Sequence, residues 1–142
     1  MQVGRWASVM IAAAVVLAGC SNTLRMQAAS VTRLADGTEW VMSGDILVDF
    51  ELSSLTRLSG GGLRCEMPMV MRVDRAGAGT MTCRDSTGAV VYAEDHVIPA
   101  GVYGTSVRGT YVSGVETRAG PGRMAFGWGS YADPDILRTL LE

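Results

Sequence analysis

The chain has 142 residues, of which 48% are hydrophobic and 18% charged, and its formal net charge is −2. A chain of this length predicts one domain with a modest hydrophobic core. All 12 basic residues are arginine and they form no cluster, so the sequence lacks the electrostatic footprint of nucleic-acid binding. The lack of lysine also excludes a serine–lysine catalytic dyad.

The first segment has the pattern of an export signal. Arg5 precedes an uncharged run, residues 6–17, which is shorter than the roughly 20 apolar residues that span a bilayer. A positive segment, an apolar run of this length and small residues after it are typical of a secretory signal. The run ends in Leu17-Ala18-Gly19-Cys20, which resembles the lipobox of bacterial lipoproteins.

The resemblance implies that residues 1–19 are a signal peptide and that the bond between Gly19 and Cys20 is cut. Cys20 would then carry a diacylglycerol thioether and an acylated amino terminus (palmitate), and such chains hold a small domain to a membrane. Ser21 after the cysteine resembles the pattern of lipoproteins sent to the outer membrane, so we expect the domain on its periplasmic face. The alternative is an ordinary secretory signal with an accidental cysteine.

Residues 20–36 are predicted to be the lipidated amino terminus and a tether. The stretch from 21 to 30 has no clear hydrophobic period, although Leu24 and Met26 could begin a strand. Residues 37–142 are then predicted to form a single β-rich domain.

Alternation of apolar and polar residues dominates that domain. Ile46, Val48, Phe50 and Leu52 would share one face of a strand, and the same spacing recurs within residues 65–73, 81–83 and 124–128. A period of two is the mark of strands with one wet face. Glycine-rich and aspartate-rich turn signals separate these stretches. The sequence therefore predicts a mainly β fold, an antiparallel meander that forms a small barrel or a sandwich.

The carboxyl terminus differs from the rest. Asp133-Pro134 reads as an N-cap followed by proline at the first helical position. Apolar residues at 136, 137, 140 and 141 then form one stripe, which predicts a short α-helix over residues 134–142. A helix of this length is unstable alone, so we expect it to dock on the sheet or on a partner.

Cys65 and Cys83 are an isolated pair, which in an oxidising compartment favours a disulfide over a metal site or a nucleophile. A hairpin turn centred near Gly77 would place Cys83 opposite position 72, however. The bridge therefore requires a turn centred nearer Asp74, a bulge, or a fold-back of Cys65 from a loop.

Few other residues suggest chemistry. His96, the single histidine, lies in Glu94-Asp95-His96, and sequence adjacency does not bring together a Ser–His–Asp triad. It is interpreted as a solvated or core-edge histidine. Asp49 and Glu51 could lie about 7 Å apart on one strand face, but alternate acids of this kind are usually solubilising. No metal site or cofactor is predicted, because ligand residues do not accumulate at motif spacing.

Two aromatic or apolar groups complete the candidates. The methionine row at 67, 69 and 71 is interpreted as core packing, with a soft-metal or adaptable binding surface as the alternative. Trp128 and Tyr131 lie between glycines near the terminal helix and are a possible ligand or partner surface.

We therefore expect a lipid-anchored envelope lipoprotein that is not an enzyme. Its partners would be the membrane, through lipid on Cys20, and an envelope protein, with a structural or assembly role. The alternative is a small-ligand-binding or enzyme-inhibitor module of the periplasm, an analogy of architecture only.

Overall fold

The computed structural model describes residues 23–49, 51, 53–101 and 107–142. The predicted signal peptide, the lipobox and Cys20 lie outside the described residues. Within the described part of the chain, no helix is long and apolar enough to cross a membrane.

Eight antiparallel strands form one sheet. Their bounds are Thr23–Leu34 (β1), Glu39–Asp49 (β2), Ser54–Gly60 (β3), Leu63–Met71 (β4), Gly77–Arg84 (β5), Val90–Ile98 (β6), Gly109–Thr117 (β7) and Gly120–Trp128 (β8). The spatial order is β6-β5-β4-β3-β2-β1-β8-β7, so β1 pairs with both β2 and β8. At the remaining seam the backbone N–H of Arg118 donates to the carbonyl of Val91 over 3.0 Å. The fold is thus a nearly closed barrel, which confirms the predicted mainly β meander.

The barrel interior is an apolar core in which methionines are prominent. Met42, Met67, Met69, Met81 and Met124 are all at most 3% exposed. The interpretation of the methionine row as core packing is therefore confirmed for its first two members, while Met71 at the strand end is 38% exposed. Glycine is needed where β2 and β3 approach closely: a Cβ at Gly44 would collide with the carbonyl oxygen of Arg57 on β3.

A second, smaller core lies on the outside of the barrel. A single 3₁₀ turn, Gly129–Tyr131, follows β8 and leads to a short helix, Pro134–Thr139 (α1). Leu137 of α1 is fully buried against Ala29 and Val31 of β1 and Ala125 of β8. Arg138 fixes the helix to the sheet, because its Nε donates to Glu39 Oε1 over 2.8 Å.

The predicted helix start is confirmed and its predicted end is too late. The carboxylate of Asp133 accepts from the backbone N–H of Asp135 over 2.8 Å, and Pro134 occupies the first turn. The α-helix ends at Thr139 rather than 142, because the N–H groups of Leu140 and Leu141 donate to carbonyls three residues back. That pattern is a 3₁₀ closure of the last turn.

The prediction of a tether over residues 20–36 is wrong for residues 23–34, which form β1. The domain accordingly includes residues 23–36 as well as those from residue 37 onward. The physical reason lies in the burial of β1 on both faces. Ala28, Ser30 and Thr32 are buried while Ala29 and Val31 are buried under α1, so the strand shows none of the alternation that marks a half-wet strand.

Candidate functional site

The two cysteines face each other across β4 and β5. Cys65 and Cys83 are direct partners in the strand register, their Cα atoms are 4.0 Å apart, and their sulfur atoms lie at bonding distance. Met71 pairs with Gly77, so the hairpin turn is centred on Asp74. This is the first of the arrangements that the sequence allowed for a bridge, and the predicted pairing is confirmed. Met42 Sδ packs 3.2 Å from Cys65 Sγ, which places the bridge inside the core.

His96 lies inside the barrel wall near the seam between β6 and β7, and it is 2% exposed. Its Nε2 is hydrogen-bonded to the hydroxyl of Tyr92, and its Nδ1 lies 3.3 Å from the hydroxyl of Tyr111. Burial lowers the pKa of His96 below its ordinary value, so the ring is neutral near pH 7. His96 is therefore a core histidine, which corrects the prediction of a solvated or core-edge position.

The acids beside His96 in the sequence do not make a triad with it. Asp95 lies on the opposite face of β6, where its carboxylate accepts from the hydroxyl of Thr80 over 2.5 Å. Glu94 is half-buried; burial of the Tyr92 hydroxyl, and after it the nearby charge of Glu94, raises the pKa of Tyr92. The described partners of the His96 ring are the two tyrosine hydroxyls, and this set contains no activated nucleophile.

Asp49 and Glu51 have separate roles. The carboxylate of Asp49 accepts from the backbone N–H groups of Glu51 and Ser53, each over 3.0 Å, and from the hydroxyl of Ser53. These bonds lower the pKa of Asp49, with the Ser53 hydroxyl the largest contribution. Asp49 therefore shapes the turn between β2 and β3, and the structure does not pair it with Glu51 as two facing carboxylates.

The structure separates Trp128 from Tyr131. Trp128 is 4% exposed and packs in the core against Phe126, with ring centroids 5.8 Å apart. Tyr131 is 37% exposed on the outside, with the guanidinium of Arg108 5.8 Å from its ring centroid. The prediction that both residues form a ligand or partner surface is therefore wrong for Trp128, because its side chain faces the barrel interior and is not accessible to solvent.

The interior leaves little free space in the part of the chain that the structure describes. A cavity of about 10 Å³ lies among Thr32, Trp40, Met81 and Val115. This volume holds at most about one water molecule. No group of three or more His, Cys, Asp and Glu side chains that could hold a metal ion is found among the described residues.

A large concavity lies on the outer surface, and we call it the outer cleft. It has a volume of about 1110 Å³ and is lined by residues of β3, β4 and β5 and of the turns that follow β3 and β5. The lining residues are Ser59, Gly60, Gly62, Leu63, Arg64, Glu66, Pro68, Thr80, Thr82, Arg84, Asp85, Ser86 and Gly88.

Two arginines of the outer cleft lie side by side on β4 and β5. Arg64 and Arg84 are direct register partners across β4 and β5. The two acids of the lining have other partners: Glu66 pairs with Arg57 at 3.4 Å, and Asp85 with Arg118 at 3.1 Å. The hydroxyl of Thr87, with Arg118, lowers the pKa of Asp85 to about 2, so Asp85 stays ionised in that pair.

Sequence reasoning missed the outer cleft, although one signal for it was present. The alternation within residues 65–73 predicts a strand with one wet face, to which Arg64 belongs, but it does not indicate which residue lies opposite Arg64 across the sheet. A bridge between Cys65 and Cys83 without a bulge places position 64 directly opposite position 84. The predicted disulfide, read as a direct register pair of β4 and β5, would therefore have predicted that Arg64 and Arg84 are neighbours.

Comparison of the chain with models of protein families, with curated proteins and with solved structures finds no match.

Proposed function

We propose that this chain is a lipid-anchored protein of the cell envelope, held on the periplasmic face of the outer membrane by lipid on Cys20. Its barrel acts without catalysis and binds an acidic segment of an envelope protein in the outer cleft. The observation that carries the binding role is the register pair of Arg64 and Arg84 in that cleft. The lipobox pattern, residues 17–20, supports the anchor.

Electrostatics favours an anionic partner. Like charges directly opposite each other on a sheet destabilise it, so the position of Arg64 and Arg84 costs free energy in the unbound protein. Arg84 uses one of its donors on the carbonyl of Gly88, over 3.0 Å. Arginine presents its N–H groups in a planar fork that suits carboxylates. An acidic segment would relieve the repulsion and occupy the remaining donors.

The shape of the domain favours a protein over a small molecule. Small-molecule sites are enclosed and have volumes of about 300–1,000 Å³, whereas the described interior cavity is about 10 Å³. The outer cleft is open and lies across three strands, as an extended segment requires. A role without catalysis is supported by the interior polar cluster, in which a neutral His96 has two tyrosine hydroxyls as its partners.

Crosslinking in intact cells tests the binding role. The full-length lipidated protein is expected to recover a discrete envelope protein, and the double variant Arg64→Glu with Arg84→Glu to lose it. Arg123→Glu is the matched control, because Arg123 is exposed on β8, across the barrel from β4. Failure to recover any partner, or a partner that the double variant retains, contradicts the role.

The anchor has its own test. The wild-type chain is expected to incorporate a fatty-acid analogue, and Cys20→Ser is expected to remain unlabelled. Label on the Cys20→Ser variant would contradict lipidation at this cysteine, whatever the result of the crosslinking.

A further inference from the structure

The exposed apolar side chains of the described residues are concentrated at one end of the barrel. We call this the β1 end, because β1 begins there, as do β3, β5 and β7. Six such side chains at this end are Val70, Met71, Val73, Val97, Val107 and Tyr131, each at least 37% exposed. At the opposite end, the strand terminus of β6 carries Val90, which is 41% exposed. A monomeric domain rarely concentrates apolar surface in this way without a use for it.

The strand register connects the start of β1 with this surface. Thr23 pairs with Asp49, and the backbone N–H of Asp49 donates to the carbonyl of Ser53 over 3.0 Å. On β4, the next strand, Val70 pairs with Ala78, and Ala78 pairs in turn with Val97 on β6. The start of β1 therefore lies at the same end of the sheet as the exposed valines of β4 and β6.

Covalent geometry ties the same end to the proposed anchor. Three residue steps separate Cys20 from Thr23, and an extended chain spans at most about 3.6 Å per step, or roughly 11 Å in all. The Cα atom of Cys20, from which the lipid would extend, therefore cannot lie farther than that from the start of β1. Leu24, which is 50% exposed, extends the apolar surface to the strand that carries the anchor.

The turn between β4 and β5 has the composition of a segment that enters the interface of a bilayer. Val73 at its tip is completely exposed, with a relative exposure of 105%. Arg72 and Arg75 flank it, and Asp74 pairs with Arg72 at 3.1 Å. Long basic side chains beside an apolar tip can reach lipid phosphates while the tip enters the acyl boundary.

We infer that the β1 end rests on the surface of the bilayer that holds the anchor, with Val73 and Val107 in the interfacial layer. The inference rests on the proposed lipidation of Cys20 and adds an orientation to it. In this orientation the turns that border the outer cleft, at residues 60–62 and 85–88, project away from the membrane. An acidic segment of a partner can then reach Arg64 and Arg84 without approaching the lipid.

A fluorescence experiment on the full lipidated protein tests the orientation. Val73→Cys and Val90→Cys are matched variants, since both replace an exposed valine and the two positions lie at opposite ends. Cys65 and Cys83 are bridged and Cys20 is acylated, so the introduced thiol is the one that takes an environment-sensitive dye. The protein is placed in vesicles of phosphatidylethanolamine and phosphatidylglycerol.

The dye at position 73 is expected to shift its emission to the blue and to be quenched by nitroxide-labelled lipid. The dye at position 90 is expected to be quenched by aqueous iodide. Equal iodide quenching at both positions in protein that floats with the vesicles overturns the orientation and leaves the anchor intact. Protection of position 73 in native envelopes but not in pure lipid also overturns it, in favour of a protein cover. A wild-type chain that neither floats nor takes up fatty acid overturns the anchor and the orientation together.

Discussion

Removal of the disulfide should destabilise the barrel by about 3 kcal/mol. The double variant Cys65→Ala with Cys83→Ala opens a loop with a sequence separation of 18 residues. The loss of loop-closure entropy from the unfolded chain gives about 3 kcal/mol for a loop of this size. Both cysteines are buried, and alanine is smaller than each of them, so the native strands need not move apart to accommodate it. The loss is a large part of the roughly 5–15 kcal/mol by which small domains are stable.

Urea unfolding followed by tryptophan fluorescence measures the effect. Reduced wild-type protein is the control, because it lacks the bridge but keeps both sulfur atoms in the core. We expect the free energies of unfolding of the alanine variant and of the reduced wild-type protein to agree within about 1 kcal/mol, which is the cost of a small change of volume in the core. If the free energy of unfolding decreases in the alanine variant but not in the reduced wild-type protein, the stabilisation comes from packing, and the argument from loop closure is refuted. Two reactive thiols in the untreated unfolded protein would refute the bridge itself.

Four further variants test the packing of the two cores. Leu137→Ala should destabilise the domain by about 2–5 kcal/mol, because Leu137 is fully buried under the helix; Ile136→Ala on the same helix should change stability by less than about 0.5 kcal/mol. Equal losses in urea unfolding would contradict the docking of α1. Burial lowers the pKa of His96 in the folded chain, so the unfolded chain binds a proton more readily than the folded chain does. The free energy of unfolding should therefore decrease as the pH is lowered below the unfolded pKa. The slope is at most about 1.4 kcal/mol per pH unit below pH ~6.5, and unfolding curves of His96→Gln should lack this contribution. Ser30→Ala should leave stability unchanged or raise it by about 1 kcal/mol, since the buried Ser30 hydroxyl has no hydrogen-bond partner among the residues that the structure describes; a clear loss in thermal unfolding would show that the hydroxyl does have one.

The strands that the sequence predicted best are those with one wet face. In β4 the buried residues Cys65, Met67 and Met69 alternate with exposed neighbours, and the period of two appears directly in the sequence. The opposite case is β1, where five consecutive residues, 28–32, are buried. Its outer face is covered by a helix more than 90 residues later in the chain, so local sequence could not indicate a strand there.

The candidate sites depended even more on tertiary structure. Nothing in Glu94-Asp95-His96 indicates that the histidine turns inward to Tyr111, a residue on another strand. The exposure of Tyr131 and the burial of Trp128 follow from the end of β8, where the chain leaves the barrel wall. Prediction of the outer cleft would have required the register of β4 against β5, which is fixed only when the hairpin forms.

By itself the sequence determined the mainly β fold, the start of α1 at Pro134, the candidacy of Cys65 and Cys83 as a pair, and the lipobox resemblance. Each of these is local, because it depends on a period, a cap or a short spacing along the chain. Tertiary structure decided the pairing of β1 with β8, the pairing of Arg64 with Arg84 and the concentration of apolar side chains at one end. These depend on which strands become neighbours, and contacts between distant residues determine that.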